Sequence, residues 1–261
     1  MMTESWTDDV AAVAGVVGRA TAKAGVFIGK KAAAAFRAVD YDVWRHAAHV
    51  PLLAWSLFVP RRDKMQPGIP DGRQPLVFVH GLGGNRGNFL PLELYLNHLG
   101  RRRTYKTHFP LGSSIDDMAR NLADFVGEVK KVTGEPRVDL VAHSLGGLTA
   151  RLAIADYGLH DSVGTLITMG TPHHGTYPAR FANTPATLDL RPDSDLIRRL
   201  NASPLPAGMK AVTFWSRNDL FVLPSDSANL PGAEQVELTP FTHYSYLIDP
   251  RCWAAAARFL T

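Results

Sequence analysis

The sequence predicts an α/β fold: a mostly parallel, doubly wound sheet with helices on both faces, a short cap insertion and an added N-terminal helical segment. Three observations predict it. From residue 75 onward, short apolar runs alternate with helical patterns, as a parallel sheet with crossover helices requires. One run, Val138-Asp139-Leu140-Val141, leads straight into Ala142-His143-Ser144-Leu145-Gly146-Gly147, so a strand, a sharp turn and a helix follow within a few residues. Another, Leu76-Val77-Phe78-Val79, ends in the glycine-rich loop His80-Gly81-Leu82-Gly83-Gly84.

Composition bounds what the chain can be. Its 261 residues suffice for one large domain with an appendage, and 46% hydrophobic with 20% charged residues is a globular balance. The net charge is only +4, and the basic residues are dispersed apart from Arg101, Arg102, Arg103 and Lys106. That cluster reads as a solvated helix end, and no nucleic-acid partner is expected. Cys252 is the single cysteine, which excludes an internal disulfide and a cysteine zinc site, and fits a reducing compartment. Glu4, Asp8 and Asp9 make the N-terminus acidic where a secretory signal would be basic. The apolar runs at 10–17 and 50–59 are too short to span a bilayer. The expected location is cytoplasmic, with peripheral membrane contact left open.

Residues 1–70 are expected to form a helical extension and linker. The stretch 10–36 is rich in alanine and glycine, and a further helix over 43–49 stops before Pro51. Two readings stand for these helices: packing on the catalytic domain or on a second copy, or anchoring in a lipid interface. Self-association and membrane contact through residues 1–60 therefore both remain open. Pro67, Gly68, Pro70, Asp71 and Gly72 mark the linker into a catalytic domain over 71–261.

Within that domain the first strand, 76–79, is a continuous apolar run. A helix over 89–99 ends at Gly100, and a strand follows near 105–109. The next helix is capped near Ser114, carries Ile115, Met118, Leu122, Phe125, Val129 and Val132 at spacings of three and four, and closes at Gly134. After the Ser144 turn come a helix to about Tyr157 and a strand over 163–169, which ends in Gly170-Thr171-Pro172-His173-His174-Gly175-Thr176. A polar stretch over 177–206 holds one short helix at 194–201 and is a candidate small cap. Strands over 211–215 and 235–238 and a final helix after Pro250 complete the order.

The chemistry centres on Ser144. A serine on a strand-to-helix turn projects its hydroxyl away from the backbone, and the pattern A-x-S-x-G is one methyl from the G-x-S-x-G nucleophile elbow. The bland alternative is an ordinary turn with a glycine pair, since short motifs also match by chance. A serine hydroxyl needs a base to take its proton and an acid to orient that base. Asp219 and His243 each follow a later strand, in the order serine, acid, histidine. Asp219 has a rival reading as a solvated turn aspartate. His143 should point away from the serine and reads as structural. His173 and His174 lack an obvious third metal ligand, so no metal is expected. The oxyanion donors expected are the N–H groups of Leu145 and Leu82, with Gly81 and Gly83 letting the loop approach substrate and Phe181 and Leu188 lining an acyl pocket. The glycine loop lacks the lysine of a phosphate-binding loop and the third glycine of a dinucleotide site.

Taken together, the motifs at 80–84, 142–147 and 170–176 with Asp219 and His243 resemble bacterial triacylglycerol lipases and esterases of the α/β-hydrolase fold. Alanine at position 142 is similar to the small lipases of bacilli, the A-x-S-x-G elbow subgroup. The resemblance covers about residues 75–261, and residues 1–70 have no counterpart in it. It implies a carboxylic-ester hydrolase acting on acyl esters or lipids through a Ser144–His243–Asp219 triad, with no cofactor. An acyltransferase or thioesterase using the same residues remains the alternative.

Overall fold

The computed structural model describes residues 65–110 and 112–260. The helices expected within 1–60 lie outside the described residues. Residues 65–75 lead without regular structure into β1 (Leu76–Val79). The chain continues through α1 (Leu90–His98), β2 (Thr104–Lys106), α2 (Ile115–Thr133), β3 (Val138–His143), α3 (Leu145–Asp156) and β4 (Val163–Met169). An insertion with α4 (Pro185–Asp189) and α5 (Asp195–Ala202) follows. Then come β5 (Lys210–Trp215), β6 (Glu234–Glu237), α6 (Ser245–Ile248) and α7 (Pro250–Leu260).

The six strands form one sheet in the order β2-β1-β3-β4-β5-β6, and every neighbouring pair is parallel. This is the parallel, doubly wound sheet expected from the alternating pattern, in the arrangement that the resemblance to α/β-hydrolases implied. The chain steps outward from β1 to β2, then returns to lay β3 against the other side of β1 in the register Leu76↔Asp139 to Val79↔Ala142. Connections leaving β1 and β3 thus diverge, and a crevice opens between them at the carboxyl ends of the strands. Both glycine-containing turns singled out in the sequence, after Val79 and after His143, empty into that crevice.

Side-chain alternation divides the core into two layers. Val77, Val79, Leu140, Ala142 and Leu166 face α2, α3 and the insertion helices. Leu76, Phe78, Val141, Ile167, Met169 and Phe214 face α1 and α7. The helix boundaries follow their capping chemistry. Ser114 accepts the Asp117 N–H at 3.1 Å while the Asp117 carboxylate reaches back, and Gly134 ends α2 at φ 73°. Gly100, at φ 87°, ends α1 and lets the Arg101 N–H reach the Leu96 carbonyl at 2.9 Å. Strand β2 stops at Lys106, short of the expected Phe109, because the chain turns at Pro110, whose carbonyl accepts the Ser113 N–H. The short helices α4 and α6 were not legible, being too brief for a helical period to register.

The arginine cluster is not a solvated helix end. Arg101 is fully buried and donates to Asp139 at 2.5 Å, at the amino end of β3. Arg103 is buried too, and donates to Glu135 and to the Arg73 carbonyl, each at 2.7 Å. Burial raises the Asp139 carboxyl above its ordinary value even though Arg101 pulls it down. The pair is therefore a desolvated ion pair whose partners depend on each other. Arg101→Met is expected to cost about 3–5 kcal/mol in urea unfolding by stranding Asp139, while Arg101→Met with Asp139→Leu should recover much of that loss. A single variant as stable as the parent would refute this.

Candidate active site

Ser144 follows β3 and precedes α3 with φ 56° and ψ −129°, alone among the described non-glycine residues in having positive φ. Such a backbone costs on the order of 1–3 kcal/mol and persists only where its surroundings hold it. Three hydrogen bonds hold this one. The Ser144 N–H donates to the Met169 carbonyl at 2.9 Å, and the Ser144 carbonyl accepts from the Gly147 N–H at 3.0 Å and the Thr171 hydroxyl at 2.8 Å. Sterics demand the small residues. A Cβ on Gly146 would lie 2.5 Å from the Val79 carbonyl oxygen, and one on Gly81 would lie 2.8 Å from the Ser144 Cβ. The nucleophile turn and the glycine loop after β1 are therefore in contact.

The three residues proposed from the sequence converge. The Ser144 hydroxyl lies 2.9 Å from His243 Nε2, and His243 Nδ1 lies 3.0 Å from both carboxylate oxygens of Asp219. An ionised carboxylate only accepts, so the ring proton is assigned to Nδ1, leaving Nε2 to accept from the serine. Asp219 and His243 are buried, and Ser144 is half-buried. Asp219 also accepts the Phe221 N–H at 3.0 Å. The Phe221 ring stacks on the imidazole with centroids 4.8 Å apart. Leu145 opens α3, so its N–H has no acceptor within the helix. Leu82 sits on the exposed turn closed by the Gly84 N–H to the Gly81 carbonyl, and Gly83 takes φ 64° there. Phe181 and Leu188 lie on the insertion, 93% and 43% exposed, so Phe181 packs against no pocket wall in this structure.

Several supporting residues escaped the sequence reading. His143 was expected to be structural because it points away from Ser144. Its ring packs on His243 at 4.7 Å between centroids, and its Nε2–H donates to the His243 carbonyl at 2.7 Å, a contact that the sequence reading did not name. Gly170, at φ 56°, leaves room for Asp219, since a Cβ there would lie 2.9 Å from Oδ2. Beside it Tyr246 is buried, and burial and then the Asp219 charge push its phenol far above the ordinary value, so it stays neutral. His173 is fully buried with Nε2 3.0 Å from the Thr168 hydroxyl, and burial depresses its imidazole far below the ordinary value. Among the described residues no three His, Cys, Asp or Glu side chains gather as a metal site. No helix of the described residues is long and apolar enough to cross a membrane. The repeated Gly-Thr pairs of 170–176 were the one available signal for these contacts.

Two consequences are measurable. Gly81→Ala should leave the fold intact by circular dichroism yet lower any turnover of a short test ester at least about ten-fold, because the added methyl pushes the loop off the Ser144 turn. Undiminished turnover would rule that out. Burial also lowers the His80 imidazole to about 4, so folding traps it neutral. The unfolded chain protonates near 6.5 and the folded one only near 4. The stability this contributes, up to about 3 kcal/mol, is complete above pH 6.5 and drains as the pH falls toward 4. Urea midpoints at neutral and acid pH should converge in His80→Gln relative to the parent; an equal drop in both proteins would refute the assignment.

Residues 75–205 match the family model of palmitoyl protein thioesterase. That span includes the glycine loop and Ser144 and stops before Asp219 and His243. The chain is also similar to a GPI inositol-deacylase of Candida albicans, at 28% identity over 60% of this chain and 45% of that protein. A triacylglycerol lipase of Pseudarthrobacter phenanthrenivorans is 30% identical over 42% of this chain and 36% of its own length. The chain thus spans less than half the length of these curated relatives. Among solved structures, mature Bacillus licheniformis lipase BlEst2 aligns with TM-score 0.63 and 19% identity, covering 77% of this chain and 96% of that one. Aspergillus fumigatus lipase B aligns with TM-score 0.65 and 20% identity, covering 76% and 54%. The solved structures share the α/β-hydrolase fold, and by the family match over half its length the chain belongs to the palmitoyl protein thioesterase family.

Proposed function

We propose that this protein is a serine hydrolase that cleaves acyl esters or thioesters through a covalent acyl-enzyme. The observation that carries the reading is the unbroken series of contacts from Ser144 Oγ to His243 Nε2 and from His243 Nδ1 to Asp219. His243 takes the Ser144 proton as Oγ attacks the acyl carbonyl, and Asp219 stabilises the imidazolium that forms. The N–H groups of Leu145 and Leu82 receive the oxyanion, each worth about 3 kcal/mol in the transition state. Collapse of the tetrahedral adduct breaks the bond to the leaving group, which departs with the proton from His243. Water then attacks the acyl-enzyme, giving its proton to His243, and Ser144 is released with the carboxylic acid.

The leaving atom separates the two branches. An alkoxide needs the His243 proton more than a thiolate does, because a thiol is the stronger acid. The lipase relatives favour the ester, and the family match favours the thioester, so one triad serving both is the economical reading. The A-x-S-x-G elbow leaves the acyl chain length open, and the insertion over 177–206 is the candidate cap that selects it.

Matched palmitoyl ester and palmitoyl thioester substrates test the proposal. Both should turn over, and Ser144→Ala should lower each by about 10⁴-fold or more. Failure of the wild-type chain on both bonds, from acetyl to palmitoyl, would sink the catalytic reading. Adding an acceptor alcohol and analysing products separates hydrolysis from acyl transfer.

A further inference from the structure

The segment Gly170–Thr176 does work that the proposed chemistry leaves unexplained. It leaves β4 beneath the site, and its last residue stands where the insertion begins. Thr176 is buried, and its hydroxyl uses both of its hydrogen-bonding functions. It donates to the Phe221 carbonyl at 2.9 Å and accepts the Leu223 N–H at 2.9 Å. Its backbone faces the other way, with the Thr176 N–H donating to the Leu190 carbonyl at 2.8 Å, inside the insertion. The next residue continues the seam, the Tyr177 N–H donating to the Leu223 carbonyl at 2.9 Å. One threonine therefore holds the insertion with its backbone and the loop after β5 with its side chain.

That loop carries Asp219 at one end. Phe221, only two residues on, bonds the Asp219 carboxylate through its N–H and covers the His243 ring with its own. Leu220 is 65% exposed and Phe221 47% exposed, so beyond the Phe221 ring's contact with His243 packing does little to fix this stretch. Val222 is the buried apolar anchor, and hydrogen bonds must set the rest. The insertion is itself seated on the nucleophile helix. Arg151 of α3 is buried and donates to the Leu200 carbonyl at 2.6 Å and to the Asn201 side chain at 3.3 Å, at the end of α5. A mechanical path runs from α3 through the insertion and Thr176 to the acid loop.

We propose that Thr176 is a positioning residue: its hydroxyl clamps the Asp219 loop to the root of the insertion and so sets the carboxylate and the Phe221 ring against His243. This rests on the serine-hydrolase reading above. The Thr176 hydroxyl bonds Phe221 and Leu223, not Ser144, His243 or Asp219. Its effect is exerted through Phe221 and Asp219, and it predicts a loss in the chemical step rather than in substrate binding.

The test compares Thr176→Val, which keeps shape and removes the hydroxyl, with Thr176→Ser, which keeps the hydroxyl. Covalent labelling of Ser144 by a fluorophosphonate reads nucleophile and base geometry without needing the natural substrate. Thr176→Val should label about 10- to 100-fold more slowly and lose kcat on a short ester to the same extent. Its KM should hold, and the acidic limb of its pH–rate profile should move. Thr176→Ser should recover most of the rate. A folded Thr176→Val with wild-type labelling and pH profile overturns the clamp, and so does equal impairment of the two variants, which would show that keeping the hydroxyl restores nothing. Hydrogen exchange in the wild-type protein gives a measurement independent of variant folding. The Leu223 amide should be protected, and exchange as fast as an open loop amide would also overturn the clamp. A wild-type protein that the probe does not label overturns the catalytic reading itself, a result distinct from a labelled wild type matched by Thr176→Val.

Discussion

The strained backbone at Ser144 is the constraint to which the neighbouring structure is fitted. A serine at φ 56° needs compensating bonds, and they come from β4 at Met169, from the loop after it at Thr171 and from the first turn of α3 at Gly147. The same turn forces Gly146 to lie against the Val79 and His80 carbonyls and draws Gly81 onto the serine itself. Nucleophile and glycine loop thus meet because two parallel strands, β1 and β3, are neighbours in a sheet whose winding reverses between them. The strain is local, and the sheet sustains it.

Charge is distributed with the same logic. At the amino ends of the strands, Arg101, Arg103, Asp139 and Glu135 form ion pairs, some deeply buried, that tie β2 and β3 to the connections around them. At the carboxyl ends Ser144, His243 and Asp219 make one continuous series of contacts. Asp219 lies against His243, and beside Asp219 the buried Tyr246 is held protonated by burial.

Much of the fold could be read directly, and the reason is periodicity. The β1, β3 and β4 runs are apolar on both faces because helices cover both faces, and α2 shows its buried stripe together with its Ser114 and Gly134 caps. The site was legible to the extent that its residues fall at strand ends: Ser144, Asp219 and His243 each follow a strand, and their order matched a known chemistry. The supporting contacts were not legible. His143 was assigned by strand alternation to the side away from the serine, which says nothing of its partner one hundred residues on, the His243 carbonyl. Phe181 was chosen for hydrophobicity alone and stands in solvent. The arginine cluster was judged by local charge, and local charge cannot reveal that Asp139 lies beside Arg101 across the sheet.

What the sequence determined by itself was set by near neighbours along the chain: the type of the longer elements, the small residues a tight turn demands, the caps, and the serine, aspartate and histidine that stand beyond strand ends. Those features depend on backbone sterics and on patterns a few residues long. Only the tertiary structure decided which groups face one another: that Thr176 bonds the backbone of Phe221 and Leu223, that His143 bonds the His243 carbonyl, and that Arg101 is buried. Such pairings join residues tens of positions apart, and they exist only once the strands have taken their places in the sheet.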